Sequence, residues 1–128
     1  MLAKKNILLV DDNNIDLFIT QSFLKKFCGA DTIFTASSGL EALNTINSGI
    51  NGFPEIIFLD IKMPEMDGFE FLNEFEKLSD ERKTNCEIYM LSSSQDPSDV
   101  QKSYLNPFVK NFISKPISQD LLKSLFNK

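Results

Sequence analysis

The sequence has no histidine, and its only arginine is Arg82. Without an imidazole the chain has no His nucleophile, no His general base and no His-ligated zinc. A single arginine and a net charge of −5 argue against nucleic acid as a direct partner, because phosphate contacts need clustered Lys and Arg. No apolar run approaches the roughly 18–20 residues that span a bilayer, so no membrane insertion is expected. The lead Met1-Leu2-Ala3-Lys4-Lys5-Asn6 runs straight into a strand-like segment without a small-residue cleavage site, and no export signal is visible. Cysteine is scarce. Cys28 and Cys86 stand far apart in apolar contexts and read as two buried thiols of a cytoplasmic protein rather than as a disulfide.

What remains is an ordinary soluble composition, 42% hydrophobic and 24% charged, in 128 residues that suit one domain. Short apolar runs alternate with helical patterns. The predicted strands are Asn6–Val10, Thr32–Ala36, Glu55–Leu59, Glu87–Leu91 and Val109–Ile113. Ile7-Leu8-Leu9-Val10 and Ile56-Ile57-Phe58-Leu59 are continuous apolar runs, the mark of parallel strands buried on both faces. The first helix is predicted from Asn14, with Ile15, Phe18, Ile19, Phe23 and Phe27 as its apolar stripe and Gly29 as its stop. Others follow over Gly39–Ser48 (Leu40, Leu43, Ile46), over Asp67–Leu78 (Phe71, Leu72, Phe75, Leu78), from the Asp96-Pro97 start, and from Ser118 with Leu121, Leu122 and Leu125 inward. Five strands alternating with five helices predict an α/β doubly wound parallel sheet. The economical strand order is 2-1-3-4-5, an order taken from that class of folds. Ligands of such sheets bind beyond the carboxyl ends of the strands, at the switch point between the first and third.

Those carboxyl ends carry the reactive residues. Strand one runs into Asp11-Asp12, strand three into Asp60, strand four into Ser92 and strand five into Lys115. Three carboxylates in one crevice repel one another unless a cation compensates. All-oxygen ligands select a hard cation, Mg²⁺ or Mn²⁺. Taken singly, Asp11 or Asp12 would read as a cap for the helix near Asn14, Lys115 as a solvated surface lysine and Ser92 as a turn residue. Taken together, they suit transfer of a phosphoryl group to the Asp60 carboxylate, a reaction that needs positioning and charge neutralisation. The metal, Lys115 and Ser92 would each take one phosphoryl oxygen.

Val10-Asp11-Asp12, Leu59-Asp60, Met63-Pro64-Glu65-Met66-Asp67-Gly68, Leu91-Ser92-Ser93 and Lys115-Pro116 together resemble the response-regulator receiver family (CheY-like), over the whole chain. The resemblance implies a flavodoxin-like fold, one receiver domain over 1–128, and a phosphoacceptor switch of a two-component system. It implies Asp60 as phosphoacceptor, Asp12 and Asp60 as direct metal ligands, Asp11 in the outer shell and the Lys62 backbone carbonyl as a further ligand. Lys115 would contact the phosphoryl group, with a cis bond before Pro116, and Phe112 would be the switch aromatic that turns inward as Ser92 is drawn to the phosphoryl group. The donor would be a phosphohistidine on a sensor kinase or phosphotransfer protein, or acetyl phosphate. The reporting surface would combine residues 96–105, strand 109–113 and the last helix, facing a downstream protein still unnamed, in a monomer or weak homodimer.

Lys62 and Ser94 stand where the family tunes phosphoryl lifetime, and Asn106-Pro107-Phe108 replaces a small-residue segment before strand five. The expected chain is a stand-alone receiver, with no room for an output domain after Lys128 and no enzymatic activity beyond its own phosphorylation and dephosphorylation. A fragment of a longer regulator is the alternative. An aspartyl-phosphate phosphatase would need a second Asp two residues after the nucleophile, where Lys62 stands. A pseudo-receiver fits poorly with an intact acid pocket, and no phosphate loop supports flavin binding.

Overall fold

The computed structural model describes residues 5–30, 32–79, 81–94 and 96–126. Met1–Lys4 of the lead and the terminal Asn127 and Lys128 lie outside the described residues. The elements alternate as β1 (Ile7–Val10), α1 (Asn14–Cys28), β2 (Ile33–Ala36), α2 (Gly39–Ser48), β3 (Ile56–Asp60), α3 (Gly68–Glu76), β4 (Glu87–Ser92), α4 (Pro97–Tyr104), β5 (Val109–Ser114) and α5 (Gln119–Phe126). A short 3-10 turn, Glu81–Asn85, precedes β4 and was not foreseen from the pattern. The sheet is wholly parallel in the order β2-β1-β3-β4-β5, as expected. The chain leaves β1 for one side to form β2, then crosses to the other side for β3. Adjacent crossovers therefore diverge above the β1 and β3 carboxyl ends, where a crevice opens.

Alternation along the strands divides the core into two layers. Leu8, Val10, Ile57, Leu59, Ile88 and Met90 pack with Ala42, Leu43, Ile46, Phe71, Leu72 and Phe75 of α2 and α3. On the opposite face, Ile7, Leu9, Ile56, Phe58, Tyr89, Leu91 and Ile113 pack with Leu24 and Cys28 of α1 and Leu122 of α5. Each such fully buried side chain contributes about 1.5–3 kcal/mol relative to exposure. Both sheet faces are covered, which is why the central strands are apolar throughout. Cys28 and Cys86 fall in opposite layers as free, buried thiols. Burial pushes the Cys86 thiol up to about 12 and raises that of Cys28 as well, so both stay protonated and unreactive.

The helix starts are held by side-chain caps. Asn13 Oδ1 accepts the Ile15 and Asp16 N–H groups of α1, Ser38 Oγ that of Glu41 in α2, and Asp96 Oδ1 that of Ser98 in α4. Asp67 and Glu70 form a reciprocal capping box at the start of α3. Gly29, at φ 69°, ends α1 in the left-handed conformation, its N–H bonded to the Leu24 carbonyl.

The apolar stripe expected on α1 is corrected. Ile15 and Phe18 are each 70% exposed, and the buried face is Thr20, Leu24 and Cys28, flanked by half-buried Leu17, Ile19 and Phe23. Leu40 of α2 is likewise exposed, its place inside taken by Ala42. On α1 the innermost contacts with the sheet are made by Leu24 together with the smaller Thr20 and Cys28. Among the described residues no helix is long and apolar enough to cross a membrane.

Candidate functional site

Strand register brings the reactive residues to one edge. Val10 is paired with Leu59, so Asp11 and Asp60 leave neighbouring strands at the same level. Asp60 is aligned with Leu91 and Ser92 with Ser114, which sets Lys115 one step beyond. Backbone bonds lock the strand ends together. The Asp11 N–H donates to the Ala36 carbonyl at 3.1 Å, that of Ile61 to Leu91 at 3.1 Å, and that of Lys115 to Ser92 at 2.8 Å. The backbone from which these side chains project is thus held in register at the sheet edge.

Carboxylate oxygens of Asp11, Asp12 and Asp60 all lie within 4.8 Å of one another. Asp11 and Asp60 are buried, whereas Asp12 is exposed at the mouth of the crevice. The capping role open to Asp11 or Asp12 is filled instead by Asn13, leaving both acids to the crevice. Asp11 Oδ1 accepts the Asn13 N–H at 2.9 Å, which orients it. Three oxygen donors with one open side fit a hard divalent cation that keeps several waters.

Lys115 joins this group from β5. Its Nζ lies 2.6 Å from Asp11 Oδ2, 3.0 Å from Asp16 Oδ2 and 3.2 Å from Asp60 Oδ1. Burial draws the Lys115 ammonium down, but its hydrogen bonds to Asp11 and Asp16 and the charge of Asp60 outweigh this and raise it. Lys115 is therefore a fixed positive charge. Asp60 moves the opposite way from a typical paired acid: burial first, then the neighbouring Asp11 charge, push it up to about 7 despite Lys115. Asp16, in the first turn of α1, was not singled out from the sequence. An acid there reads as a charge favourable to the helix dipole, and only the fold shows that it faces Lys115.

Ser92 is buried at the end of β4, and its Oγ accepts the Ser94 N–H at 3.0 Å. Lys62 is exposed in the β3–α3 loop, and its charge contributes to lowering Asp96 across the crevice mouth, after the hydrogen bonds from Ser98. The loop itself is tightly built. The Gly68 N–H donates to Ile61 at 2.7 Å, and Glu65 adopts a left-handed φ of 67°. The peptide bond between Lys115 and Pro116 is cis, as expected. Phe112 stands apart from the acids. It is half-buried and lines a cleft of about 470 Å³ with Pro97, Val100, Gln101, Tyr104 and Ser114.

Residues 7–127 match the family model described as the response regulator receiver domain. The chain belongs to that family. A two-component response regulator from Cytophaga hutchinsonii superposes with a TM-score of 0.86 at 31% identity, covering 95% of this chain and 93% of the other. The phosphorylated cyanobacterial phytochrome response regulator RcpA gives a TM-score of 0.78 at 28% identity, covering 95% and 88%. Among curated proteins, hybrid signal transduction histidine kinase L of Dictyostelium discoideum is 29% identical over 123 residues, 95% of this chain. The chain spans only 7% of that kinase's length. Receiver domains thus occur both as compact regulators and as small parts of long kinases, and this chain is a receiver domain, a phosphoacceptor switch of two-component phosphorelay signalling.

Proposed function

We propose that Asp60 is the phosphoacceptor of this receiver domain, drawing on a phosphohistidine of a sensor kinase or phosphotransfer protein. The observation that carries this reading is the buried Asp60 carboxylate, 3.2 Å from the Lys115 ammonium and within the Asp11–Asp12–Asp60 oxygen cluster. An Asp60 carboxylate oxygen forms the new bond to phosphorus while the donor's N–P bond breaks and its electron pair returns to the imidazole. These 128 residues include no histidine, so the donor histidine lies outside them. Acetyl phosphate, a mixed anhydride, would serve as a small donor by breaking its O–P bond and releasing acetate.

Asp11, Asp12 and Asp60, with the Lys62 backbone carbonyl, would hold Mg²⁺ or Mn²⁺. When bound, such a dication supplies charge neutralisation on the transferring phosphoryl group. Lys115 gives one N–H to a phosphoryl oxygen and stays protonated throughout. The Ser92 hydroxyl, at the end of β4, turns to donate to another oxygen. That movement frees space beside β5 into which Phe112 turns from the α4–β5 cleft, changing the face formed by α4, β5 and α5 for a downstream protein. Lys62 and Ser94, flanking the crevice mouth, would control the access of water to the acyl phosphate and so its lifetime.

The proposal treats 1–128 as one receiver domain whose only chemistry is its own phosphorylation and dephosphorylation, working in the cytoplasm as a monomer or weak homodimer. Two unpaired buried thiols support a reducing compartment. Incubation with Mg²⁺ and acetyl phosphate, followed by intact mass measurement, is the test. One added phosphoryl group, lost in Asp60→Asn and on chelation, is expected. A chain that takes up neither phosphoryl nor beryllofluoride would refute the assignment. Coupling is tested by Phe112→Ala, which is expected to abolish the difference in partner capture between free and beryllofluoride-bound protein.

A further inference from the structure

Lys115 Nζ carries three N–H donors, and three carboxylates surround it: Asp11 at 2.6 Å, Asp16 at 3.0 Å and Asp60 at 3.2 Å. The contacts to Asp11 and Asp16 are hydrogen bonds, and Asp60 stands at ion-pair distance. A phosphoryl oxygen on Asp60 inherits the contact that Asp60 makes, and gains a second Lys115 N–H only if Asp11 or Asp16 gives one up. We infer that Asp16 is a positioning residue that competes with the phosphoryl group for Lys115 and so sets how strongly the switch holds its phosphoryl group.

The three acids are not equivalent in this contest. Asp60 becomes the acyl phosphate, so its own share of Lys115 passes to the phosphoryl oxygens. Asp11 belongs to the oxygen cluster that would face a dication, whose charge compensates it. Asp16 lies outside that cluster and has Lys115 as its cationic partner in the crevice. Its backbone is pinned, because its N–H donates to the Asn13 cap at 3.0 Å. The carboxylate therefore keeps its hold on the α1 side of the crevice after phosphorylation. Lys115 does not need Asp16 to stay in place, since the Asp11 contact is shorter and its side chain is 13% exposed. The Asp16 side chain is 35% exposed, which limits the effect to that of a partly screened pair. Removing its charge thus releases one donor to the phosphoryl group without freeing the lysine.

This inference rests on Asp60 as phosphoacceptor and on Lys115 as its phosphoryl contact. The test is beryllofluoride affinity in excess Mg²⁺, measured by calorimetric titration, with the lifetime of the acetyl phosphate adduct followed by intact mass. Asp16→Asn is expected to tighten beryllofluoride binding by roughly 1.4-fold to fivefold, the range of a partly exposed ion pair, and to lengthen the adduct's lifetime. Asp16→Ser is expected to reproduce the gain, and Asp16→Glu, which restores the charge, to remove it. In a Lys115→Ala background the Asp16→Asn gain is expected to vanish. Unchanged or weaker binding in both neutral variants would overturn the inference. So would a gain that persists without Lys115, because Asp16 would then act on the anion through space. A wild-type chain that takes no beryllofluoride would instead overturn the Asp60 assignment itself.

Discussion

The Lys115 ammonium lies 3.2 Å from Asp60 Oδ1, yet Asp60 is pushed up to about 7 rather than down. Burial and the adjacent Asp11 charge outweigh the lysine, whose charge is divided among three acids. An acid whose folded pKa exceeds its unfolded value near 4 binds protons more readily when folded, and stability then falls as pH rises through the folded pKa. Chelated protein is therefore expected to lose several degrees of melting temperature between about pH 4 and pH 7, with little further loss above. Asp60→Asn is expected to flatten that slope, and Mg²⁺ to restore stability at the alkaline end. Thermal unfolding in a chelating buffer series checks it. An equally steep slope in Asp60→Asn would assign the effect elsewhere.

Gly68 supports the same aspartate from beneath. A Cβ placed there would lie 2.8 Å from the Asp60 carbonyl oxygen and 3.0 Å from Ile61 Cα, both of them backbone atoms that cannot swing aside. Gly68→Ala is expected to push the start of α3 away from β3 and to cost about 1–3 kcal/mol. Because the moving segment carries Lys62 and adjoins Asp60, acetyl phosphate labelling is expected to slow as well. Urea unfolding and the labelling time course together measure both effects, and a stable, fully reactive variant would contradict this account of the loop.

The sheet was legible because its central strands are buried on both faces, so Ile7–Val10 and Ile56–Leu59 declare themselves as apolar runs. The acids were legible because each follows directly on such a run or closes it. Helix faces were harder to read. In α1 the large residues Ile15 and Phe18 suggested the inner stripe, but the cap at Asn13 fixes the phase so that Thr20, Leu24 and Cys28 point inward. The threonine carries little hydropathy signal. Asp16 was missed for a different reason: its meaning depends on Lys115, 99 residues later, and no local pattern reports that.

Glu65 stores strain in the loop between β3 and α3. It has φ 67° and the Met66 N–H bonds back to Pro64 at 2.7 Å, so it is the central residue of a γ-turn, a strained conformation for a residue with a Cβ. Glu65→Gly removes the Cβ that this conformation crowds. It is expected to raise stability by about 0.5–1 kcal/mol, with no change in labelling by acetyl phosphate. Chemical denaturation against wild type decides it, and a destabilised variant would show that the Glu65 side chain makes a contact worth more than the strain.

Tyr104 ties α4 to the outer edge of the sheet. Its hydroxyl accepts the Phe112 N–H at 3.0 Å and lies 3.0 Å from Asn111 Oδ1, to which it donates. Asn111 Oδ1 takes a second share of the same N–H at 2.8 Å. β5 is an outer strand, so this side-chain pair occupies backbone groups that no further strand covers. Tyr104→Phe removes one of two acceptors, so the expected loss is modest, about 0.5–1.5 kcal/mol, rather than that of an orphaned buried donor. The urea midpoint is expected to fall at unchanged m-value, and amide exchange at Phe112 to quicken more than at Ile113, whose side chain is packed beneath α1 and α5. Since Phe112 lines the cleft under α4, its ring is also expected to become more mobile. Uniform exchange across β5 in the variant would mean that Tyr104 merely covers the strand and does not fasten Phe112.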